Sequence, residues 1–192
     1  MQTSIMHFIG HALRGVRPGP MLLTSSRYSG WLSFALRVSS PAFGDGKPMP
    51  VRFTQDGASL FPPLMWEGLP PQTQSAVLLV EDADIPSFRP LTHLIVHSIP
   101  PDVTDLAEGE IPLRLRGTSP RGYACGLNAL GRTGWTAPTP PPGHGPHRYA
   151  FQVFALNARP EFGPPPGRTR LLRTIRPHII AQGRVIGTYE RA

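Results

Sequence analysis

Residues 76–86 read Ala-Val-Leu-Leu-Val-Glu-Asp-Ala-Asp-Ile-Pro, an apolar run that ends in acidic residues and a proline. An uninterrupted apolar run of this length is typical of a central strand that is buried on both faces. Asp82 and Asp84 follow it, where the backbone leaves the core and side chains can reach a cleft. They are two residues apart, so both would project to one face if the strand continued. The alternative interpretation is that these aspartates cap turns in a loop.

Further strands are predicted on both sides of this run. Alternation of apolar and polar residues in Leu32–Val38 is typical of a half-buried strand. The other predicted strands are Val51–Thr54, His93–Ile99, Arg148–Asn157 and Arg184–Tyr189. Three proline-rich segments between them are predicted loops by composition, at residues 62–71, 99–112 and 136–146.

Proline accounts for 25 of the 192 residues, about 13% where about 5% is ordinary. Because proline fixes φ and lacks an amide donor, so many prolines predict short strands joined by stiff loops. We expect one β-rich domain over residues 31–192, preceded by a helical extension at residues 1–30. The extension includes a short amphipathic helix within residues 1–16. Near the carboxyl end, apolar residues between Leu171 and Ile180 predict a helix that Pro177 kinks or divides into two pieces.

The formal charge is +7, and the chain contains 19 lysine and arginine residues. One dense basic run lacks the interleaved aromatic residues of a single-strand nucleic-acid platform, so we interpret it as a solvated helix face and expect no nucleic-acid partner. No segment approaches the roughly 18 apolar residues of a membrane span. The single cysteine, Cys125, fits a reducing compartment and predicts a cytoplasmic protein. The basic run consists of Arg168, Arg170, Arg173 and Arg176.

A second polar segment, Pro138–Tyr149, ends in Gly-His-Gly-Pro-His-Arg-Tyr. Prolines reduce the entropy lost on ordering a loop, so a stiff loop can present groups to a ligand at low cost. His147 and Tyr149 are predicted on one strand face with Phe151 and Val153, while Arg148 points the other way. His97 is predicted to share a face with His93, but about 13 Å of strand separates them. His93 is therefore the better ligand candidate.

The order of these segments resembles the phosphatidylethanolamine-binding protein family, in its bacterial YbhB/YbcL-like branch. Asp82–Pro86 matches the Asp-Pro-Asp-Ala-Pro element of the family, His93 its following histidine, and Gly145–Tyr149 its Gly-x-His-Arg-Tyr element. The resemblance covers roughly residues 34–191 and includes further matches at Pro62–Trp66, in the pattern Gly126, Asn128, Gly131 and Gly134, and at Ala181–Arg191.

This resemblance implies a mainly β fold with a large central antiparallel sheet, a smaller sheet and peripheral helices. It also implies a shallow pocket for phosphate, phosphorylethanolamine or carboxylate anions, in a non-enzymatic binding protein that needs no cofactor and could modulate a kinase or protease. The implied ligand-binding residues are Asp82, His93, Pro141, His147 and Tyr149. The implied scaffold residues of the pocket are Asp84, Pro86 and Arg148. The N-terminal helix is a possible homodimer contact.

Acidic residues beside histidines favour a protonated imidazole, so two imidazoles could donate hydrogen bonds to one anion. The alternative is a metal-dependent or hydrolytic enzyme that uses Asp82, Asp84, His93 and His147. No His-Glu-x-x-His, nucleophile-elbow or phosphate-loop motif supports that alternative. The chain departs from the family pattern at Ala83, Ile85 and Leu94, and these changes are expected to narrow the pocket or change its ligand.

Overall fold

The structure is a computed structural model that describes residue 8, residues 10–28 and residues 34–191. In this part of the chain, the secondary structure consists of ten strands, the α-helix α1 (Arg168–Ile175), helical residues at positions 8 and 10–12, and short 3₁₀ turns. The strands are β1 (Phe34–Ala35), β2 (Arg37–Ser39), β3 (Lys47–Pro48), β4 (Leu64–Glu67), β5 (Ser75–Asp82), β6 (Leu91–Ile99), β7 (Asp105–Leu106), β8 (Ala124–Cys125), β9 (His147–Leu156) and β10 (Ile179–Tyr189).

These strands form two sheets. The larger sheet has the order β1-β10-β9-β5-β6-β8, with β3 also paired to β10, and the smaller one has the order β2-β4-β7. The long strands β5, β6, β9 and β10 pair antiparallel, whereas the short β1 and β3 lie parallel to β10. The predicted mainly β fold with a large antiparallel sheet and a smaller one is therefore confirmed.

The centre of the larger sheet is apolar on both faces. All eight residues of β5 are buried, as expected for a strand covered on both sides. One face packs toward the smaller sheet around Phe61, Trp66, Trp135 and Phe151. The other face packs on α1 through Leu171 and Ile175. The apolar run at residues 76–80 is continuous because neither face of β5 contacts water.

One strand prediction and one loop prediction were wrong. Val51–Thr54 does not form a strand, since Val51–Phe53 is a 3₁₀ turn that places Phe53 alone in the core. Residues 62–71 are not purely a loop, because Leu64–Glu67 forms β4. Its Leu64 and Trp66 are buried while its Met65 and Glu67 are exposed, and the flanking prolines hid this short alternation.

The ends of the chain's regular elements also differ from expectation. The predicted strand Leu32–Val38 is interrupted at Leu36, and its first residues lie outside the described part of the chain. The predicted helix reaches only Ile175 and continues as a 3₁₀ turn at Arg176–His178, so Pro177 does divide the segment in two. Ile179 and Ile180 then belong to β10 rather than to the helix.

The N-terminal segment, which we define as residues 10–28, packs on the sheet through polar contacts. Half of the predicted amphipathic helix, residues 1–7 and 9, lies outside the described residues; residues 8 and 10–12 are helical, and a turn follows at residues 13–15. Further along, the fully buried Glu81 carboxylate accepts hydrogen bonds from the Thr24 amide at 2.9 Å, Gln152 Nε2 at 2.8 Å and Arg168 Nε at 2.6 Å. Arg168 thus pairs with a buried acid, which corrects the interpretation of its basic run as a wholly solvated face.

Candidate ligand-binding site

A pocket of about 380 Å³ lies where the end of β5, the start of β6 and the proline-rich loop before β9 meet. Sheet order explains the meeting, because β5 lies between β6 and β9. Asp82, the last residue of β5, is in register with Leu91 of β6 and Tyr149 of β9. All five predicted ligand-binding residues line this pocket: Asp82, His93, Pro141, His147 and Tyr149.

His93 enters the pocket because of a β-bulge. Val80 pairs with Leu94 and Glu81 pairs with Thr92, so His93 is the extra residue that has no partner on β5. A bulge re-aims the side chain of its extra residue, and the His93 ring packs edge-on against Tyr149 at 5.2 Å between ring centroids. Its Nδ1 lies 2.6 Å from the Thr136 carbonyl oxygen, so Nδ1 carries a proton and donates it there.

The bulge also separates His93 from His97, so the prediction that they share a face was wrong. His97 packs on Phe162 at 4.8 Å between ring centroids and lines a different cleft of about 660 Å³. Burial lowers the pKa of His97 to about 4. That cleft also includes Cys125, whose thiol has a pKa raised to about 12 by burial, which makes it a structural rather than a reactive cysteine.

Asp82 and Asp84 do not project to one face, because the strand ends at Asp82. The Asp82 Oδ1 atom accepts a hydrogen bond from the Asp84 amide at 2.8 Å, so the turn-capping interpretation holds for Asp82. Its other oxygen, Oδ2, lies 2.7 Å from Nδ1 of His147. The same carboxylate therefore shapes the turn and faces the pocket.

Asp84 instead connects the loop after β5 to β9 and to the N-terminal segment. It accepts hydrogen bonds from the Arg148 amide at 2.8 Å and from Arg148 Nε at 2.7 Å, and it lies 3.2 Å from Arg17 Nη1. Burial on its own would raise the pKa of Asp84, but the hydrogen bonds from Arg148 and Arg17 outweigh burial and hold it below the usual value. Pro86, by contrast, lines the pocket itself.

His147 bonds through both ring nitrogens. Nδ1 faces Asp82, and Nε2 lies 2.8 Å from Nδ1 of His144. The other nitrogen of His144, Nε2, lies 2.9 Å from the backbone carbonyl oxygen of Leu13. His147 therefore has no free ring N–H for a ligand in this arrangement, which changes the expectation that two imidazoles donate directly to one anion.

Two buried polar atoms of pocket-lining residues have no hydrogen-bond partner among the described residues. They are Nε2 of His93 and the phenolic oxygen of Tyr149. Burial lowers the pKa of His93 despite the nearby Asp82 charge, and burial raises the pKa of Tyr149, which keeps its phenol protonated. The pocket thus holds one hydrogen-bond donor and one titratable nitrogen that the protein leaves unpaired.

Of the three departures from the family pattern, only Ile85 lines the pocket. Leu94 is buried in the core between the sheets. Ala83 packs with Leu23 and Ala150, and its amide donates to the Arg148 carbonyl at 2.9 Å, a bond that proline could not make. The expected change of pocket shape therefore rests on Ile85 alone.

Several residues of the site had no assigned role in the sequence. His144 stands three residues before His147, between Gly143 and Gly145, whose φ angles are 76° and 91°. That spacing was the available signal for a histidine pair. No comparable signal in the sequence indicated Arg17 or Thr136, because each contacts the site through residues that are distant in sequence.

Fold and pocket together define a class of protein: two-sheet β domains with a pocket at one end of the larger sheet, whose lining surface is mainly apolar around a few polar side chains. The family model "Phosphatidylethanolamine-binding protein" matches residues 39–190. The chain belongs to the phosphatidylethanolamine-binding protein family.

Individual relatives agree with this assignment. A UPF0098 protein of Pyrococcus horikoshii is 39% identical over 157 residues, which cover 82% of this chain and 77% of that protein. Among solved structures, a phosphatidylethanolamine-binding protein homologue from Chlamydia trachomatis has a TM-score of 0.73 and 33% identity, over 83% of this chain and all of that one. YbcL of E. coli, titled a member of the mammalian family, has a TM-score of 0.75 and 27% identity, over 82% of this chain and 99% of that one.

None of the helices in the described residues is long and apolar enough to cross a membrane. No group of three or more His, Cys, Asp or Glu side chains in the same residues is arranged to hold a metal ion. In particular, Asp84 faces Arg148 and Arg17, away from the other members of the metal set considered from the sequence.

Proposed function

We propose that this protein binds a small anion, such as a phosphate, a phosphorylethanolamine or a carboxylate, in the pocket around His93 and Tyr149, without catalysis. The observation that carries the proposal is the pair of buried, unpartnered polar atoms on these two residues. An unpaired buried polar group is costly, and an anionic oxygen would accept from both. The phenol donates as it stands, and His93 donates from Nε2 once it is protonated.

Anion binding should therefore be coupled to proton uptake. In the free protein, burial keeps the pKa of His93 low, so its Nε2 carries a lone pair at neutral pH. A bound anion favours the imidazolium and raises that pKa. Affinity for an anion should then increase as the pH falls toward the low pKa of the free protein.

The direct test is an NMR titration of the histidine ring signals with inorganic phosphate and with phosphorylethanolamine. We expect the His93 and Tyr149 signals to move at millimolar ligand. His97 is the internal control, because it lines the other cleft. The His93→Gln and Tyr149→Phe variants should each weaken binding, whereas His97→Gln should not. If the His93 and Tyr149 signals do not shift at millimolar ligand, the proposal is contradicted.

The metal-dependent or hydrolytic alternative is tested by metal analysis of the purified protein. Stoichiometric zinc bound by Asp82, His93 and His147 would favour it over anion binding. The hydrogen bonds of Asp82 and His147 to one another support the anion interpretation, since a metal ligand would need those lone pairs free.

A protein partner that carries the anion is a second candidate, and two apolar side chains beside the pocket favour it. Leu130 lines the pocket and is 58% exposed, and Phe88, next to the lining residue Ser87, is 91% exposed. Such a partner could be a kinase or a protease. The free, buried thiol of Cys125 fits a cytoplasmic location, where the two proteins would meet. This candidate would be supported if a phosphoserine peptide binds more tightly than inorganic phosphate, and if the Phe88→Ser variant loses that difference in affinity.

A further inference from the structure

The bonds between Asp82, His147, His144 and Leu13 need a definite number of protons. Three contacts of 2.7, 2.8 and 2.9 Å connect the Asp82 carboxylate to the Leu13 carbonyl through two imidazole rings. A carbonyl oxygen can only accept, and each of the three bonds needs one proton. Two neutral imidazoles and an ionised carboxylate together provide only two protons for these three bonds. The three side chains, which we call the Asp–His–His trio, therefore hold one additional proton and are neutral as a group.

The position of that proton follows from burial and charge. Burial lowers the pKa of His144, and the cationic Arg17 acts in the same direction. His147 lies directly against the Asp82 carboxylate at 2.7 Å, which stabilises an imidazolium by a charge-assisted bond. The additional proton therefore belongs to the close pair of His147 and Asp82, and neutral His144 accepts at Nδ1 and donates from Nε2 to Leu13.

The N-terminal segment holds His144 in this position. Arg17 donates to the carbonyl oxygens of His144 at 2.5 Å and of Pro146 at 2.8 Å, and Arg14 donates to that of Gly143 at 2.7 Å. The backbones also lie close, since a Cβ on Gly10 would be 2.1 Å from the Pro142 carbonyl oxygen. These contacts come from residues that precede the family match, which begins at residue 39.

We propose that His144 is a positioning residue of the pocket, and that the N-terminal segment acts through it. By accepting from His147 and donating to Leu13, His144 keeps His147 protonated and so neutralises Asp82 next to the bound anion. Without the additional proton the trio carries a negative charge, which repels an anionic ligand. This inference rests on the proposed anion binding for its effect on ligand affinity, but not for the protonation of His147.

Other charged groups surround the trio, and none replaces His144. Arg17 and Arg148 both pair with Asp84, so two cations share one carboxylate and neither bonds the trio's ring nitrogens. His93 faces His147 from β6 and, because burial lowers its pKa, is neutral in the free protein. The titratable and charged groups beside the trio in the described part of the chain are Arg14 and Arg17 from the N-terminal segment, Asp84 after β5, His93 from β6, Arg148 and Tyr149 from β9, and Glu190 beside Gly145.

The experiment compares wild type with His144→Ala and His144→Gln. Glutamine is the conservative variant, because its amide offers one acceptor and one donor. Long-range ¹H–¹⁵N spectra report which ring nitrogens of His147 carry protons between pH 5 and 9, and titration calorimetry with acetate reports affinity. We expect His144→Ala to bind acetate roughly three- to tenfold more weakly at pH 7.5 and like wild type at pH 5.5, with His144→Gln near wild type throughout.

Gly10→Ala tests the same inference without touching the trio. Its methyl group would meet the backbone of the proline-rich loop, whereas a Cβ on Gly15 has no neighbour within 4 Å. We expect Gly10→Ala to shift the loss of the His147 proton to lower pH, as His144→Ala does, and Gly15→Ala to leave it unchanged. This pair keeps the test valid if His144→Ala fails to fold.

Two results would overturn the inference. One is a wild-type His147 with a single protonated ring nitrogen across the whole pH range. The other is a pH profile of the His147 ring that is identical in wild type, His144→Ala and Gly10→Ala. If the ring nitrogens respond as expected but no protein binds acetate or phosphate, the positioning role stands and the proposed function fails.

Discussion

His93 and His97 lie four residues apart on β6, and burial lowers the pKa of both. They differ in what surrounds them. The β-bulge turns His93 into the pocket, where Nε2 remains unpaired, whereas His97 bonds Ser98 at 3.0 Å and packs on Phe162. Two pKa shifts in the same direction therefore occur in different surroundings: an open pocket beside His93 and packed side chains around His97.

His97 should make the fold sensitive to acid. Its pKa of about 4 in the folded protein is below the ordinary 6.5, so the unfolded chain binds its proton first as the pH falls. Stability then decreases from pH 6.5 toward pH 4, by roughly 3 kcal/mol for this residue. Urea unfolding at pH 7, 5.5 and 4.5 should show a smaller loss in His97→Gln than in wild type. Parallel losses in the two proteins would contradict the assignment.

Tyr149 offers a single-atom test of the pocket. The Tyr149→Phe variant removes only the unpartnered phenolic oxygen. We expect acetate affinity to fall by about tenfold, as for the loss of a hydrogen bond to a charged group, while stability in urea stays equal or rises. Tyr28→Phe is the matched control, since Tyr28 packs on Phe154 outside the pocket. Unchanged affinity in Tyr149→Phe would show that the phenol does not contact the anion.

At the scale of the elements, β10 depends on close backbone contact. A Cβ on Gly183 would lie 2.1 Å from the Leu36 carbonyl oxygen, beside the parallel pairing of β1 with β10. We expect Gly183→Ala to lower the free energy of unfolding by about 2 kcal/mol, because backbone atoms must move. Gly163→Ala has no neighbour within 4 Å and should change little in the same urea titration. Equal midpoints for the two variants would contradict this packing.

The docking of α1 depends on the buried Glu81 carboxylate. Removing Arg168 would leave that carboxylate without its cation, and breaking a buried pair in this way is strongly destabilising. We expect Arg168→Ala to cost about 3 kcal/mol in urea unfolding. Arg170→Ala is the control, since Arg170 is exposed and bonds only the Pro164 carbonyl. A loss no larger than that of the control would show that Glu81 is satisfied without Arg168.

Most long elements could be predicted from the sequence and most short ones could not, although only Arg184–Tyr189 of the 11-residue β10 was predicted as a strand. β5, β6 and β9 have continuous or alternating apolar patterns that sheet burial demands. β4, β7 and β8 have two to four residues each, too few for a pattern, and long-range pairing decides them. The β-bulge at His93 was equally invisible, because it depends on how two strands pair rather than on either strand alone.

At the scale of the whole molecule, the order of the motifs located the pocket before any contact was known. Asp82, His93 and His147 converge because β5 lies between β6 and β9, an arrangement that the family resemblance implied. The N-terminal segment was beyond this reasoning. Arg17 reaches the His144 carbonyl across 127 residues and also the Asp84 carboxylate, and contacts between residues so far apart leave no local pattern in the sequence. The division of the chain at residue 30 stays a prediction.

The formal charge of +7 favours anionic ligands in general, but it does not select the pocket. In the proposed function, the pocket is distinguished by coupling between anion binding and proton binding, at His93 through its lowered pKa and at the Asp–His–His trio through its additional proton. Both effects have the same sign, since each makes the pocket more positive as the pH falls. A nonspecific basic surface would show no such pH dependence in this range, because arginine does not titrate there.

The most direct measurement is the dissociation constant of acetate by titration calorimetry between pH 5.5 and pH 8, where acetate stays ionised. We predict that affinity rises at least severalfold as the pH falls through this range, and that His93→Gln flattens the profile. An affinity that is constant from pH 5.5 to 8, or a profile that His93→Gln leaves unchanged, would contradict anion binding coupled to protonation in this pocket.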